Sequence, residues 1–334
     1  MPELPEVETI KRGLSKIIIE QELQGVEVLC KKSFPCAVAV SGVVTGIRRF
    51  GKALVVDLDS GQSLLIHLRM TGQLIYEPRA TEVVDIKNKD DGRSEVNEKT
   101  EAGGRYAGGH PSDNFVAKLP NKQTRVILHF ADGILYFNDQ RKFGFIKVLP
   151  TTEVEQDSFV RKLAPEPWVM EADEFYEKLQ KHKGACIKAV ILDQSVVCGL
   201  GNIYADEALY SAGIHPERRA GSLSLAEATD LLMCARAVMQ ASIDSGGSTM
   251  ATYVKPDGTK GDYLEKFAQV FRREGEVCLR CGGEIEKIRV AGRGTHICPH
   301  CQRLTSDVNE ASASLSSDFK GLDGDYGKDR RVRD

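Results

Sequence analysis

Two groups of residues in this chain have the types and spacing to do chemistry. The first opens the sequence: Met1-Pro2-Glu3-Leu4-Pro5-Glu6. Removal of Met1 would leave Pro2 with a free secondary amine beside the Glu3 carboxylate. A free α-amine titrates at about 7.7–8.0, so a useful fraction is neutral and nucleophilic near neutral pH. Such amines add covalently to carbonyl-type carbons. A secondary amine gives an iminium that cannot discharge by losing an N–H, so it persists as an electron sink. Pro is also an ordinary first-turn residue of a helix, and a carboxylate there can simply offset the helix dipole. On these six residues alone the ordinary helix start is the better reading.

The second group is Cys278-x2-Cys281, followed after sixteen intervening residues by Cys298-x2-Cys301. Each pair can set two thiolates on one side of a turn, and two pairs complete a tetrahedral Zn²⁺ site. Four cysteines leave no open position, so one structural zinc is expected. A lone CxxC could be a redox pair; the second pair makes that reading poor. His296 and His300 are further possible ligands, but the four sulfurs already suffice. The segment between the pairs carries Arg289 and Arg293 around Ala291-Gly292. An arginine at the tip of a metal-braced hairpin suits a phosphate, although a solvated hairpin end would look the same.

Other basic residues sit beside glycine or bulky groups. They are Lys52 after Phe50-Gly51, Arg69 before Met70, and Arg141-Lys142 before Phe143-Gly144. Lys and Arg neutralise phosphates, and Met or Phe can wedge between base steps. Singly, each is ordinary surface charge or core filling. Gly199-Leu200-Gly201-Asn202-Ile203-Tyr204 reads as a glycine turn opening a helix, a shape that offers N–H groups to an anion.

The elements that must position these residues fall into three regions. Val7, Ile10, Leu14 and Ile17 have helical spacing behind an acidic first turn. Strands follow over 26–28, 43–50, 53–58 and 63–76, and again over 125–130, 134–137 and 145–149. Residues 79–114 are polar, charged and glycine-bearing, and are expected to be a disordered insert. After Pro150 the pattern becomes helical. Ser224-Leu225-Ala226-Glu227 is a capping box, opening a helix with Leu231, Ala235, Val238 and Ser242 on one face and ended by Gly246-Gly247. A short helix is expected near 263–271. The predicted boundaries are 1–150, 151–272 and 273–303, with a disordered tail over 304–334.

Composition sets mild limits. At 334 residues and 41% hydrophobic content, two domains with ordinary cores are the natural expectation. No apolar run is long enough to span a membrane and no signal-like core precedes the charged start, so no membrane association and a cytoplasmic location are expected. Five of the nine cysteines lie in apolar or mixed stretches and read as reduced core residues. The net charge of −3 conceals a partition: 79–114 and 305–334 each carry −2, leaving the rest at +1. Placement of charge therefore matters more than its sum.

Taken together, the chain resembles the bacterial formamidopyrimidine-DNA glycosylases. The matching blocks are Pro2-Glu3-Leu4-Pro5-Glu6-Val7-Glu8-Thr9, His67-Leu68-Arg69-Met70-Thr71-Gly72, and Asp139-Gln140-Arg141-Lys142-Phe143-Gly144. Pro165-Glu166-Pro167, Gly199 to Ala205, Gly213-Ile214-His215-Pro216 and the cysteine block continue the series, in family order over 1–303. The resemblance implies an α+β architecture: an N-terminal β-sandwich with a leading helix, a helix-two-turn-helix domain and a C-terminal zinc finger. Damaged double-stranded DNA would lie between the halves, bound by a monomer associated with the nucleoid. It also implies roles. Pro2 would be the nucleophile and Glu3 the proton donor. Lys52 and Arg293 would assist elimination and hold phosphate. Lys183 and Asn202 would hold the backbone. Met70, Arg141 and Phe143 would fill the void left by an extruded base.

Some positions depart from the family pattern. Gln123 stands where many members have a DNA-contacting histidine, and Gln140 and Lys142 replace the more usual proline and arginine. Residues 245–263 resemble the family's mobile loop over the flipped base. Two other readings remain open at this point: a sister endonuclease for oxidised pyrimidines, against which Leu4 and Phe143 argue, and a non-catalytic DNA-binding zinc protein.

Overall fold

The computed structural model describes residues 2–36, 38–79, 105–110, 115, 117–247 and 263–304. Residues 248–262 of the expected lid, the tail beyond Leu304 and most of the 79–114 insert lie outside those residues. The leading helix α1 spans Leu4–Ile18, with Pro5 in its first turn. Val7, Ile10, Leu14 and Ile18 are its buried face; the stripe closes on Ile18 rather than on the expected Ile17, which is only partly buried against the same core.

Nine strands follow: β1 Glu22–Val28, β2 Gly42–Phe50, β3 Ala53–Leu58, β4 Gln62–His67, β5 Gly72–Pro78, β6 Tyr106–Gly109, β7 Thr124–Phe130, β8 Gly133–Asp139 and β9 Phe145–Pro150. All their pairings are antiparallel, in the order β6-β5-β8-β7-β1-β2-β3-β4-β9. β1 and β2 are paired only at Glu22↔Val43 and Leu23↔Gly42. The ladder therefore consists of two sheets hinged at a short seam, and both contribute to one apolar core with α1. That is the expected sandwich.

Two expectations need correction. The run 63–76 is not one strand: the chain leaves the first sheet at His67 and enters the second at Gly72. Gly72 N donates to Leu68 O at 2.9 Å, closing a turn that presents Arg69 and Met70. A Cβ at residue 72 would stand 2.3 Å from Leu68 O, so this turn requires glycine. The insert also holds structure. Tyr106–Gly109 pairs with β5, and Tyr106, 1% exposed, lies against Gly13 of α1 and donates to Ile10 O at 3.2 Å. Gly13 and Gly108 let helix and strand approach; local composition registers such glycines only as flexibility.

The second half contains α2 Ala172–Lys181, α3 Ile187–Ile191, α4 Asn202–Ser211 and α5 Leu225–Asp244 around a separate core. Ser224 caps α5, accepting from Glu227 N at 3.2 Å. Of the expected face, Leu231, Ala235 and Ser242 are buried, while Val238 is only partly buried against the same core. Leu4 belongs to this second core rather than to its own helix's sheet-facing stripe. The short helix near 263 is α6, only Tyr263–Lys266. A hairpin of β10 Glu286–Val290 and β11 Arg293–Ile297 ends the described chain. Its turn residues Ala291 and Gly292 both have positive φ, the geometry of a tight two-residue hairpin turn. Among the described residues no helix is long and apolar enough to cross a membrane.

Candidate active site and nucleic-acid interface

Pro2 and Glu3 are buried at the junction of the two halves. Leu4 N donates to Gly199 O at 3.3 Å, and Glu3 N donates to Glu6 Oε2 at 2.8 Å. The Glu3 side chain turns away from α1 toward the start of α4, where Ile203 N donates to Oε1 at 3.1 Å. The glycine turn thus does receive an acidic group, and it is the Glu3 carboxyl. Both glycines are required by close approach. A Cβ at 199 would meet Leu4 Cδ1 at 2.3 Å, and one at 201 would meet Glu3 Cδ at 2.2 Å. Burial pushes the Glu3 carboxyl up to about 7; Lys52 and Ile203 N oppose the shift and Glu6 adds to it. Its Oε2 is buried without a hydrogen-bond partner among the described residues. A buried carboxyl held protonated near neutral pH, with one oxygen uncommitted, is equipped to donate a proton.

Lys52, 7% exposed, donates from Nζ to Leu200 O at 2.6 Å. Burial lowers its pKa, and Glu3 works in the opposite direction. Asn202 donates to Gly294 O at 3.0 Å, tying the first turn of α4 to the hairpin tip, and its Oδ1 is buried without a partner among the described residues. Arg293 is exposed at that tip, opposite Val290. Pro2, Glu3, Lys52, Asn202 and Arg293 therefore converge on one junction. Lys183 is exposed in the loop after α2 and packs against Gly221.

Met70, Arg141 and Phe143 form a second constellation on two neighbouring loops. Met70 is 42% and Phe143 46% exposed, large apolar groups displayed to solvent. Arg141 links them, with Nη1 3.1 Å from Met70 Sδ and its guanidinium 4.9 Å from the Phe143 ring centre. Arg69 and Lys142, beside these residues, both hold positive φ, which is uncommon for non-glycine residues. Asp139, 1% exposed, binds both loops. It accepts from Thr71 Oγ1, from Arg141 N at 3.1 Å, from Phe143 N at 2.8 Å and from Gly144 N at 2.7 Å.

The sequence reading passed over three contributors. Asp139 was quoted only as part of a motif. His67 lies against Phe145 and Phe159, and its Nδ1 accepts from Arg69 N at 3.0 Å. Burial, reinforced by Arg69 and Lys52, lowers it to about 3, so it is a neutral imidazole with Nε2 as the donor. Lys188 and Asp206 form a wholly buried pair at 2.5 Å, and Lys188 also donates to Thr295 Oγ1 at 2.6 Å. Asp206 accepts from His296 N at 2.9 Å, which fixes the hairpin against α4. A lysine within the apolar run Ile187 to Leu192 was the available signal.

The sulfur atoms of Cys278, Cys281, Cys298 and Cys301 all lie within 4.8 Å of one another. A tetrahedral zinc with Zn–S near 2.3 Å needs sulfurs about 3.8 Å apart, and Cys278 and Cys301 are 3.8 Å apart. The donor set fits zinc. His296 turns to Asp206 instead, at 3.4 Å, and is no ligand.

Sheet domain, two-turn helical domain and four-cysteine hairpin, meeting at a buried N-terminal Pro-Glu, define a DNA glycosylase of the helix-two-turn-helix class. Family comparisons agree: residues 1–146 match the formamidopyrimidine-DNA glycosylase N-terminal domain, 163–254 its H2TH domain, and 275–304 the zinc finger found in FPG and IleRS. The formamidopyrimidine-DNA glycosylase of Exiguobacterium sp. is 35% identical, over 91% of this chain and all of its own length. That of Desulfitobacterium hafniense is 37% identical over 90% of this chain. A Lactococcus lactis FPG mutant bound to Fapy-dG-containing DNA superposes with a TM-score of 0.73 at 33% identity, covering 91% of this chain. The chain belongs to the formamidopyrimidine-DNA glycosylase family.

Proposed function

We propose that this protein excises oxidised purines, 8-oxoguanine and formamidopyrimidines, from duplex DNA and then cleaves the abasic strand by β,δ-elimination. The observation that carries this reading is the Glu3 carboxyl, buried beside Pro2, raised to about 7 and with one oxygen unpaired. Relatives of known structure support it, since Lactococcus lactis Fpg has been solved with Fapy-dG DNA and with abasic-site DNA.

Extruding a base costs a few kcal/mol, which Met70 and Phe143 offset by filling the hole. Arg141 donates to the acceptors of the orphaned base, a match for cytosine. With Met1 removed, the Pro2 nitrogen forms a bond to C1′ while the glycosidic bond breaks and its electron pair leaves with the base. The Pro2 N–H proton passes to the departing base; Glu3 then protonates O4′ as the C1′–O4′ bond breaks and the freed nitrogen pair forms an iminium at C1′. The iminium acidifies the C2′ hydrogens, and phosphate departs in each elimination. Lys52 assists the first elimination and Arg293 the second, both binding phosphate; Asn202 and Lys183 hold the flanking backbone. One zinc, held by the four cysteines, braces the hairpin that carries Arg293. The protein acts as a monomer in the cytoplasm, at the nucleoid.

Borohydride trapping on a duplex with 8-oxoguanine opposite cytosine tests this reading. A covalent adduct is expected with the processed chain and none with Pro2→Gly. Trapping only on oxidised pyrimidines would favour the sister endonuclease; no adduct on either would leave a DNA-binding zinc protein.

A further inference from the structure

Helix α4 has chemistry at both ends. Its first turn seats Glu3, and its last turn meets the cysteine cluster. There Tyr210, 1% exposed, places its hydroxyl 3.2 Å from Cys278 Sγ, and Cys278 is equally buried. Arg280, two residues beyond Cys278, lays its guanidinium over the same ring at 4.5 Å. It also donates to Tyr210 O and Ser211 O, each at 3.2 Å, and so caps the C-terminal carbonyls of α4 with a cation.

A phenylalanine would fill the same space and stack equally well on Arg280. What tyrosine adds is a hydroxyl, and a buried phenol is kept where it has a partner. Four thiolates around one Zn²⁺ leave two surplus negative charges on the sulfurs. That surplus makes them basic and open to electrophiles. A donor aimed at a sulfur draws off part of it, and groups of this kind tune metal sites strongly. Cys281, by contrast, is exposed and receives Gly283 N at a longer 3.5 Å.

We propose that Tyr210 is an outer-shell donor to the metal-bound Cys278 thiolate, and that helix α4 through this bond sets how tightly the finger retains zinc. This inference rests on the reading that the four cysteines hold zinc. Metal retention is thereby coupled to the helix that positions Glu3.

The test is Tyr210→Phe in the full chain, starting with metal content. A wild-type protein that holds no zinc overturns the zinc reading itself, and this inference with it. With zinc present, competition against a chromophoric chelator should show affinity about 10-fold weaker in the variant, and a thiol alkylator should eject the metal several-fold faster. In the cobalt-substituted protein the sulfur-to-metal charge-transfer band should move to lower energy, because the thiolate lone pair is no longer stabilised. Unchanged affinity, ejection rate and band overturn the role of Tyr210 and leave the zinc reading intact. Should the variant fail to fold, cadmium-loaded wild type decides. A slowly exchanging Tyr210 hydroxyl proton coupled to the metal through Cys278 supports the proposal, and its absence refutes it.

Discussion

Gly201→Ala isolates the placement of Glu3 from its chemistry. The new Cβ would stand 2.2 Å from Glu3 Cδ and 2.4 Å from Oε1. Carbon atoms pack at about 3.5–4.0 Å, so the carboxyl must retreat by about 1.3 Å or more. That movement breaks its 3.1 Å bond from Ile203 N. Gly201 itself has φ −125° and ψ −162°, an extended conformation open to alanine. As the N-cap of α4, alanine in place of glycine should cost no more than about 1 kcal/mol. A displacement of about 1 Å in a reacting group costs about 100-fold in rate, or about 2.7 kcal/mol of barrier. Single-turnover excision of 8-oxoguanine should therefore fall about 100-fold with the melting temperature nearly unchanged. Borohydride trapping at a preformed abasic site should fall far less, because the Pro2 amine is untouched. Excision within about twofold of wild type in a folded variant would mean that Glu3 is not held where the chemistry occurs.

Four further outcomes are expected. Excision should decline as pH rises through about 7, where Glu3 loses its proton, and trapping at a preformed abasic site should lack that limb; a shared profile would contradict the assignment. The same raised pKa means the folded chain keeps a proton the unfolded chain has shed, so Glu3 makes the fold less stable as pH climbs from the ordinary carboxylate range to about 7. Asp139→Asn turns an amide N–H toward groups that donate to the carboxylate. It should lower stability by about 1–3 kcal/mol in chemical denaturation and blunt discrimination between opposing bases, and intact discrimination would refute the role given to the two loops. Cys298→Ser should abolish metal retention and weaken duplex binding while the N-terminal sheets stay folded, as read by metal analysis, DNA titration and circular dichroism. Unchanged affinity in the metal-free variant would deny the hairpin its part.

Local periodicity and ligand spacing made much of this legible. The α1 stripe, the Ser224 capping box and the cysteine spacing each carry their own signal, because neighbours in sequence decide them. What escaped depends on distant partners. Tyr106–Gly109 reads as polar glycine-rich loop until β5 and α1 are beside it. The break at residues 68–71 is invisible in hydrophobicity because strands on both sides are apolar; a change of sheet causes it. Asp139, His67 and the Lys188–Asp206 pair act through burial and through backbone groups far along the chain.

The seating of Leu4 in the second core bears on how the molecule is made. The core that takes in Leu4 extends to Ile243, so the core that buries the start of the chain is complete only after most of the chain has been synthesised. At about 5–20 residues per second, roughly 10–50 s separate the emergence of Pro2 from that of Ile243. The proposed nucleophile must be unmasked within this interval, while the leading peptide is still loose. On the proposed function, excision of Met1 is a maturation step with a deadline set by translation. Slowing the aminopeptidase should yield a folded but permanently silent population rather than one that recovers later.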